Sequence, residues 1–131
     1  MFSAYIRMLK SYGVKVFYHS CGGVTDLLPD LIGIGVDILD PLQFNAMRLT
    51  PEQLIERVGD RVALHGGISV QDLLVRASPD EVRAEAQHLK RVLGRHGRYI
   101  LSCSHLLQAD IPPANIEALA AEAGAANGDA G

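Results

Sequence analysis

A histidine and a cysteine two positions apart, His19 and Cys21, are the residues of this chain best suited to chemistry. They stand between a β-branched and aromatic run, residues 14–19, and the pair Gly22-Gly23, where a predicted strand ends. In an extended strand, residues two apart point to the same side. Zinc accepts both imidazole nitrogen and thiolate sulfur. The spacing therefore predicts half of a metal site, against the competing interpretation of a buried cysteine beside a hydrogen-bonded histidine.

Other polar and glycine residues stand at or just beyond the ends of the remaining predicted strands. Parallel sheets and barrels place their binding sites at this end of the strands. We therefore predict a substrate-binding role for Gln43, His65, Gly66 and Gly67. The competing interpretations are a hydrogen bond from Gln43 to a neighbouring loop, a capping role for His65 and a tight turn at the two glycines.

The elements that must position these residues alternate regularly along the chain. Apolar residues at helical spacing predict a helix over residues 2–12, and Thr50-Pro51 and Ser78-Pro79 are typical helix starts. Short apolar runs predict four strands, over residues 14–19, 36–40, 61–65 and 98–102. The second strand is expected to end at Pro41 and the third at Gly66-Gly67. Strands alternating with helices predict parallel βαβ units, as in an open doubly wound sheet or a segment of a barrel.

Composition excludes several classes of protein. The net charge of −3 and the absence of Lys or Arg runs argue against nucleic-acid binding. No apolar run approaches the ~20 residues of a membrane helix. No signal peptide opens the sequence, so we expect a cytoplasmic protein with reduced cysteines. One domain is predicted over residues 1–123, followed by a disordered Ala- and Gly-rich tail over residues 124–131.

Four motifs, taken together and in order, carry a family resemblance. They are His19-Ser20-Cys21-Gly22, the run from Gly35 to Gln43, Gly59-Asp60-Arg61 with Gly66-Gly67-Ile68, and the run from Tyr99 to His105 followed by Asp110 to Ile116. With these motifs the chain resembles the C-terminal half of the uroporphyrinogen decarboxylase superfamily, from about residue 3 to residue 120. The resemblance implies a (β/α)₈ barrel, a fold of ~250 residues, of which four βα units are present. The expected partner is therefore the N-terminal half-barrel or a second copy of the chain.

The His-x-Cys motif resembles the branch of the superfamily that transfers methyl groups between a corrinoid carrier and a thiol. The resemblance implies that zinc binds His19 and Cys21, and that the third ligand follows the eighth strand. In the family that ligand is a cysteine; here His105 stands at its position, with Cys103 two residues earlier as an alternative ligand. The expected partners are a small-molecule substrate or a corrinoid protein.

Two other functions stay open. The first is decarboxylation of a porphyrinogen, which the resemblance implies to need no metal. The second is an inactive, truncated half-barrel, because the enzymatic activity of the family is expected to need the N-terminal half. No catalytic residue is assigned from the sequence.

Overall fold

The computed structural model describes residues 2–124 as alternating helices and strands. In chain order these are α1 (Phe2–Ser11), β1 (Phe17–His19), α2 (Leu28–Gly33), β2 (Ile38–Leu42), α3 (Phe44–Met47), α4 (Pro51–Val58), β3 (Ala63–Ile68), α5 (Leu73–Arg76), α6 (Pro79–Leu93), β4 (Tyr99–Cys103) and α7 (Pro113–Gly124). The predicted disordered tail, residues 124–131, lies outside the described residues except for Gly124, which ends α7.

The four strands form one parallel sheet in the order β1-β2-β3-β4. Each strand therefore pairs with its neighbour in sequence, and helical segments occupy every connection between them. This arrangement confirms the predicted parallel βαβ units.

Two helices begin as the sequence predicts, with complete capping boxes. The Thr50 hydroxyl accepts from the Gln53 amide at 3.2 Å, and the Gln53 side chain accepts from the Thr50 amide at 2.9 Å. Ser78 and Glu81 make the same reciprocal pair at the start of α6. These bonds satisfy amides that a helix start otherwise leaves unpaired, which is why the local sequence sets where these helices begin.

Several strand ends differ from those expected from the sequence. β1 begins at Phe17 rather than at residue 14. β2 continues through Pro41 to Leu42, and β3 continues through the glycine pair to Ile68, so the two expected stops were wrong. Tertiary pairing outweighs the local signal, because Gly66-Gly67 pair with residues of β4 in an unbroken ladder. Two helices of four residues, α3 and α5, were missed because they are too short to show a periodicity.

An ion pair ties the first helix to the sheet. The Lys10 ammonium lies 3.0 Å from the Asp37 carboxylate, which also accepts from the Val16 amide at 2.9 Å. Burial alone would raise the pKa of Asp37, but the Val16 amide and the Lys10 charge together lower it below its ordinary value. Asp37 therefore joins α1, the approach to β1 and the approach to β2.

The sheet has one packed face and one open face. The register partners Tyr18, Leu39 and Leu64 lie on the packed face, where the two leucines are 1% exposed and belong to the core. On the open face Phe17 is 49% exposed and Ile100 is 45% exposed. Parallel sheets are normally covered on both faces. Within residues 2–124 the sheet thus presents an uncovered apolar surface, the open face, between two edge strands, β1 and β4.

No helix within residues 2–124 combines the length and the apolar character needed to cross a membrane.

We predict that, in the purified chain, the open face is covered by further strands from a second copy of the chain. Light scattering of the purified chain should then give more than one chain per particle. Phe17→Ser with Ile100→Ser should weaken the association, because both side chains are removed from the open face. Leu27→Ser is the control: Leu27 is also 49% exposed but lies in a 3-10 turn outside the sheet. A folded, soluble wild-type monomer would contradict the prediction.

Candidate functional site

Three polar side chains meet toward the carboxyl ends of neighbouring strands. His19 is the last residue of β1, and its register partner in β2 is Asp40. Asp40 directly follows Leu39, whose register partner in β3 is Leu64, so Asp40 lies opposite His65 as well. The register of three strands therefore assembles this group.

Asp40 is shared by the two histidines. Its Oδ2 lies 2.6 Å from Nδ1 of His19, and its Oδ1 lies 2.6 Å from Nδ1 of His65. Asp40 is 8% exposed, so the carboxylate is shielded from water and depends on these two partners. Each oxygen serves one imidazole ring, which leaves Nε2 of each ring available to other groups.

The thiol predicted as a metal ligand lies beside the first imidazole. Sγ of Cys21 is 3.3 Å from Nε2 of His19, while Nδ1 of the same ring is committed to Asp40. Two ligands of one tetrahedral zinc, a nitrogen and a sulfur, are separated by about 3.6 Å. A carboxylate bonded to the far nitrogen is also the usual support of a zinc-ligating histidine. The pair therefore fits zinc in donor chemistry and in spacing.

A cavity of about 450 Å³ opens beside this pair. It brings Cys103, the last residue of β4, and the following His105 to the same place as His19 of β1 and His65 of β3. Its lining residues are His19, Asp40, Pro41, His65, Ser102, Cys103, His105 and Leu106.

The two candidates for the third metal ligand differ in environment. Cys103 is half-buried, and burial raises the pKa of its thiol above the ordinary value. His105 is exposed at the rim. Among residues 2–124 no group of three or more His, Cys, Asp or Glu side chains is close enough to hold a metal ion. The described side chains thus bring His19 and Cys21 together and place Cys103 and His105 on the shared cavity wall, without closing a three-ligand cluster.

Of the four predicted substrate-binding residues, one lines this cavity and three make contacts within the fold. His65 lines the cavity. The side-chain oxygen of Gln43 accepts from the Gly22 amide at 2.6 Å, which is the loop contact that the sequence left open. That bond holds the loop after Cys21 against the end of β2. Gln43 therefore supports the site whether or not it also contacts a substrate.

Gly66 and Gly67 occupy positions that only glycine fits. Their φ angles are +106° and +107°, a region that side chains strain, and a Cβ on Gly66 would lie 2.9 Å from the Leu42 amide nitrogen. The half-buried Tyr99 hydroxyl donates to the Gly66 carbonyl at 2.7 Å, and partial burial raises the pKa of that phenol. The close approach of strand backbone accounts for Gly66 and that of the Leu89 and Phe44 side chains for Gly67, and neither glycine lines the cavity beside His19. Their role in substrate binding stays a prediction.

Sequence reasoning missed the central residue of the site, Asp40. It entered only as one letter of the motif that ends at Gln43. The signal that could have found it is a carboxylate inside an otherwise apolar run, Ile38 to Leu42, because a buried charge requires a partner. The identity of its partners, however, depends on the register of three strands.

The architecture and the site define a class of protein: an α/β domain of the (β/α)₈ barrel type, with polar residues at the carboxyl ends of its parallel strands. The sequence model of the uroporphyrinogen decarboxylase (URO-D) family matches residues 2–125. The chain therefore belongs to the uroporphyrinogen decarboxylase family.

A solved structure agrees with this assignment. The chain is similar to a methyltransferase from Methanosarcina mazei, with a TM-score of 0.69 and 23% sequence identity. The match covers 92% of this chain and 34% of that one, so the chain spans about a third of the length of its structural neighbour. It confirms the predicted partial barrel, and at this identity it speaks for the fold alone. No curated protein matches the chain.

We predict that the two thiols of the metal-free protein react at different rates with iodoacetamide. Cys21 is exposed and should be alkylated first, whereas Cys103 is half-buried with a raised pKa and should react more slowly. The alkylation rate of Cys103 should continue to rise above the pH range in which an ordinary thiol ionises, because a thiol with a raised pKa forms its thiolate at higher pH. Mass spectrometry of the Cys21→Ser and Cys103→Ser variants assigns each rate. Equal rates at neutral pH would contradict the prediction.

Proposed function

We propose that this domain binds zinc and serves the transfer of a methyl group from a corrinoid carrier to a thiol. One observation carries the proposal: Nε2 of His19 lies 3.3 Å from Sγ of Cys21 while Nδ1 of the same ring is bonded to Asp40. In a typical protein zinc site, an imidazole and a thiolate bind the metal directly. A carboxylate that bonds the other nitrogen of the imidazole forms the second coordination sphere. A methyltransferase as structural neighbour supports the same direction.

The residues that would hold zinc are His19, Cys21 and one of Cys103 and His105. When bound, zinc supplies a positive charge that keeps a substrate thiol in its nucleophilic thiolate form at neutral pH. Asp40 orients the His19 ring, and the Gln43 bond to the Gly22 amide holds the loop that carries Cys21. The cavity walls exclude part of the water around the reacting sulfur.

The proposed reaction is a displacement at the methyl carbon, with the thiolate sulfur as nucleophile and the corrinoid cobalt as leaving group. A sulfur lone pair of the thiolate forms the new carbon–sulfur bond, and the methyl–cobalt bond of the corrinoid breaks with its electron pair remaining on cobalt. The thiol proton leaves to solvent. The products are a methyl thioether and the demethylated corrinoid.

Decarboxylation of a porphyrinogen is the second candidate, favoured by membership in the URO-D family. Binding a substrate with several carboxylates calls for cationic side chains. The described lining of the cavity contains no Lys or Arg and instead includes the Asp40 carboxylate. The described part of the site therefore suits a thiol or a metal better than a polyanion. The third candidate, a domain inactive by itself, follows from the fact that the chain spans about a third of its neighbour.

We expect one zinc ion per chain after dialysis against excess zinc, measured by elemental analysis and by competition with a chromophoric chelator. Cys21→Ser and His19→Ala should each abolish stoichiometric binding, because each removes a ligand. Cys103→Ser and His105→Ala form a matched pair: the variant that loses zinc identifies the third ligand. His88→Ala, a histidine on α6 that faces Glu52, is the control and should bind normally. A metal-free wild type, or full zinc retention by Cys21→Ser, would argue for the decarboxylase or the inactive domain.

Activity separates the remaining candidates. The zinc-loaded chain should convert methylcobalamin and mercaptoethanol to methylthioethanol, detected by mass spectrometry, and Cys21→Ser should lose this rate by at least about a hundredfold. Release of carbon dioxide from uroporphyrinogen by the metal-free chain would instead support decarboxylation. If neither reaction occurs until another half-barrel of the family is added, the domain is inactive alone.

A further inference from the structure

We propose that Asp40 is a positioning residue that holds His19 and His65 in the same tautomer, with the proton on Nδ1 and the lone pair of Nε2 available to a ligand. The cavity then presents two imidazole acceptors. His65 thereby becomes the binding residue for a hydrogen-bond donor of the substrate, such as a thiol, a hydroxyl or an ammonium group. This inference concerns the site of the proposed function but does not depend on zinc.

The tautomer follows from the chemistry of the shared group. An ionised carboxylate has acceptor oxygens and no donor, so an imidazole nitrogen 2.6 Å from it must carry the proton. Asp40 offers one oxygen to each ring, and at 8% exposure it meets little competition from water. In water the Nε2–H form of histidine is the more stable tautomer. Asp40 therefore imposes on both rings the form that a free histidine adopts less often.

The surroundings hold both rings in place. Asp40 and His19 are register partners on adjacent strands, so the backbone sets their separation. The His65 ring packs against Phe17, with ring centroids 5.2 Å apart and an interplanar angle of 66°. The His19 ring is held by the contacts of both its nitrogens, Nδ1 with Asp40 and Nε2 with Cys21.

The two acceptors then have different neighbours. Nε2 of His19 lies against the Cys21 thiol at 3.3 Å, whereas the His65 ring lines the cavity, and no hydrogen bond of its Nε2 is among those of the described residues. A lone pair in that position attracts a donor and repels a carboxylate or phosphate. The same cavity wall carries the Ser102 side chain, which is able to donate or accept. The site is thus suited to a neutral or cationic donor group.

Asparagine in place of Asp40 is a sharp test, because an amide has a single acceptor oxygen. In Asp40→Asn the amide oxygen can accept from only one Nδ1–H, while the NH₂ group can only donate. One of the two imidazoles must therefore move its proton to Nε2 and accept at Nδ1. A similar loss of the correct tautomer is the known consequence of an Asp→Asn exchange behind a catalytic histidine.

The measurement is nitrogen-15 NMR of the metal-free protein at about pH 8, above the ordinary titration range of imidazole. Protonated and unprotonated ring nitrogens have well-separated shifts, and His19→Gln and His65→Gln assign the signals. In the wild type, His19 and His65 should both be Nδ1–H, in contrast to exposed histidines such as His96. In Asp40→Asn one of them should change to Nε2–H.

Asp37→Asn is the matched control, since Asp37 precedes β2 and contacts Lys10 and Val16 but neither histidine. Its histidine signals should equal those of the wild type. An Nε2–H tautomer at either ring of the wild type overturns the inference, and so does an unchanged pair of Nδ1–H signals in folded Asp40→Asn. If that variant does not fold, the wild-type spectrum decides alone. Tautomers as expected in a protein that binds no zinc would leave this inference standing and reject the proposed function.

Discussion

The constraint on which the site depends is the burial of one carboxylate between two imidazoles. Removing a carboxylate from water costs several kcal/mol unless its oxygens are bonded. Asp40 meets that requirement with two contacts of 2.6 Å, and hydrogen bonds to a charged group contribute about 1.5 to 3 kcal/mol each. The partners come from strands on either side, so β1, β2 and β3 must keep their register for the charge to be tolerated. Site geometry and sheet register therefore stabilise each other.

The same side of the sheet carries both the apolar open face and the polar site. Phe17 belongs to both, since it is half exposed and its ring packs against His65. Within residues 2–124 the helices cover the opposite face, where Leu39 and Leu64 belong to the core. Whatever covers the open face therefore also faces the cavity, and it completes the environment of His65 and His19.

Family membership and side-chain geometry bear on function at different levels. The URO-D match and the similarity to a methyltransferase establish the family and the partial barrel. The chemistry depends on residues at the strand ends. There the Cys21 thiol, a ligand for a soft cation, lies beside the His19 ring that the Asp40 carboxylate supports. Cys103 and His105 share the cavity with His19, so the variation at the expected third ligand concerns two residues within one pocket.

Local chemistry allowed the sequence to predict much of the fold. Capping at Thr50 and Ser78 sets where two helices begin, and regular alternation of apolar runs with helices sufficed to predict that the strands are parallel. The sequence also located His19, Cys21, Cys103 and His105 near one another, because the carboxyl ends of parallel strands meet at one edge. These features depend on nearest neighbours along the chain or on rules common to all parallel sheets.

Only the tertiary structure decided which of these residues contact each other. β3 continues through Gly66-Gly67 because its neighbour β4 supplies a ladder that outweighs the turn preference of glycine. Asp40 becomes the centre of the site because the pairing of β2 with both β1 and β3 brings it within 2.6 Å of both histidines. Such contacts join residues about twenty positions apart, and the energies that select them come from pairing and burial rather than from local propensity. The sequence by itself determined which chemical groups the site contains, and the strand register determined how they are bonded.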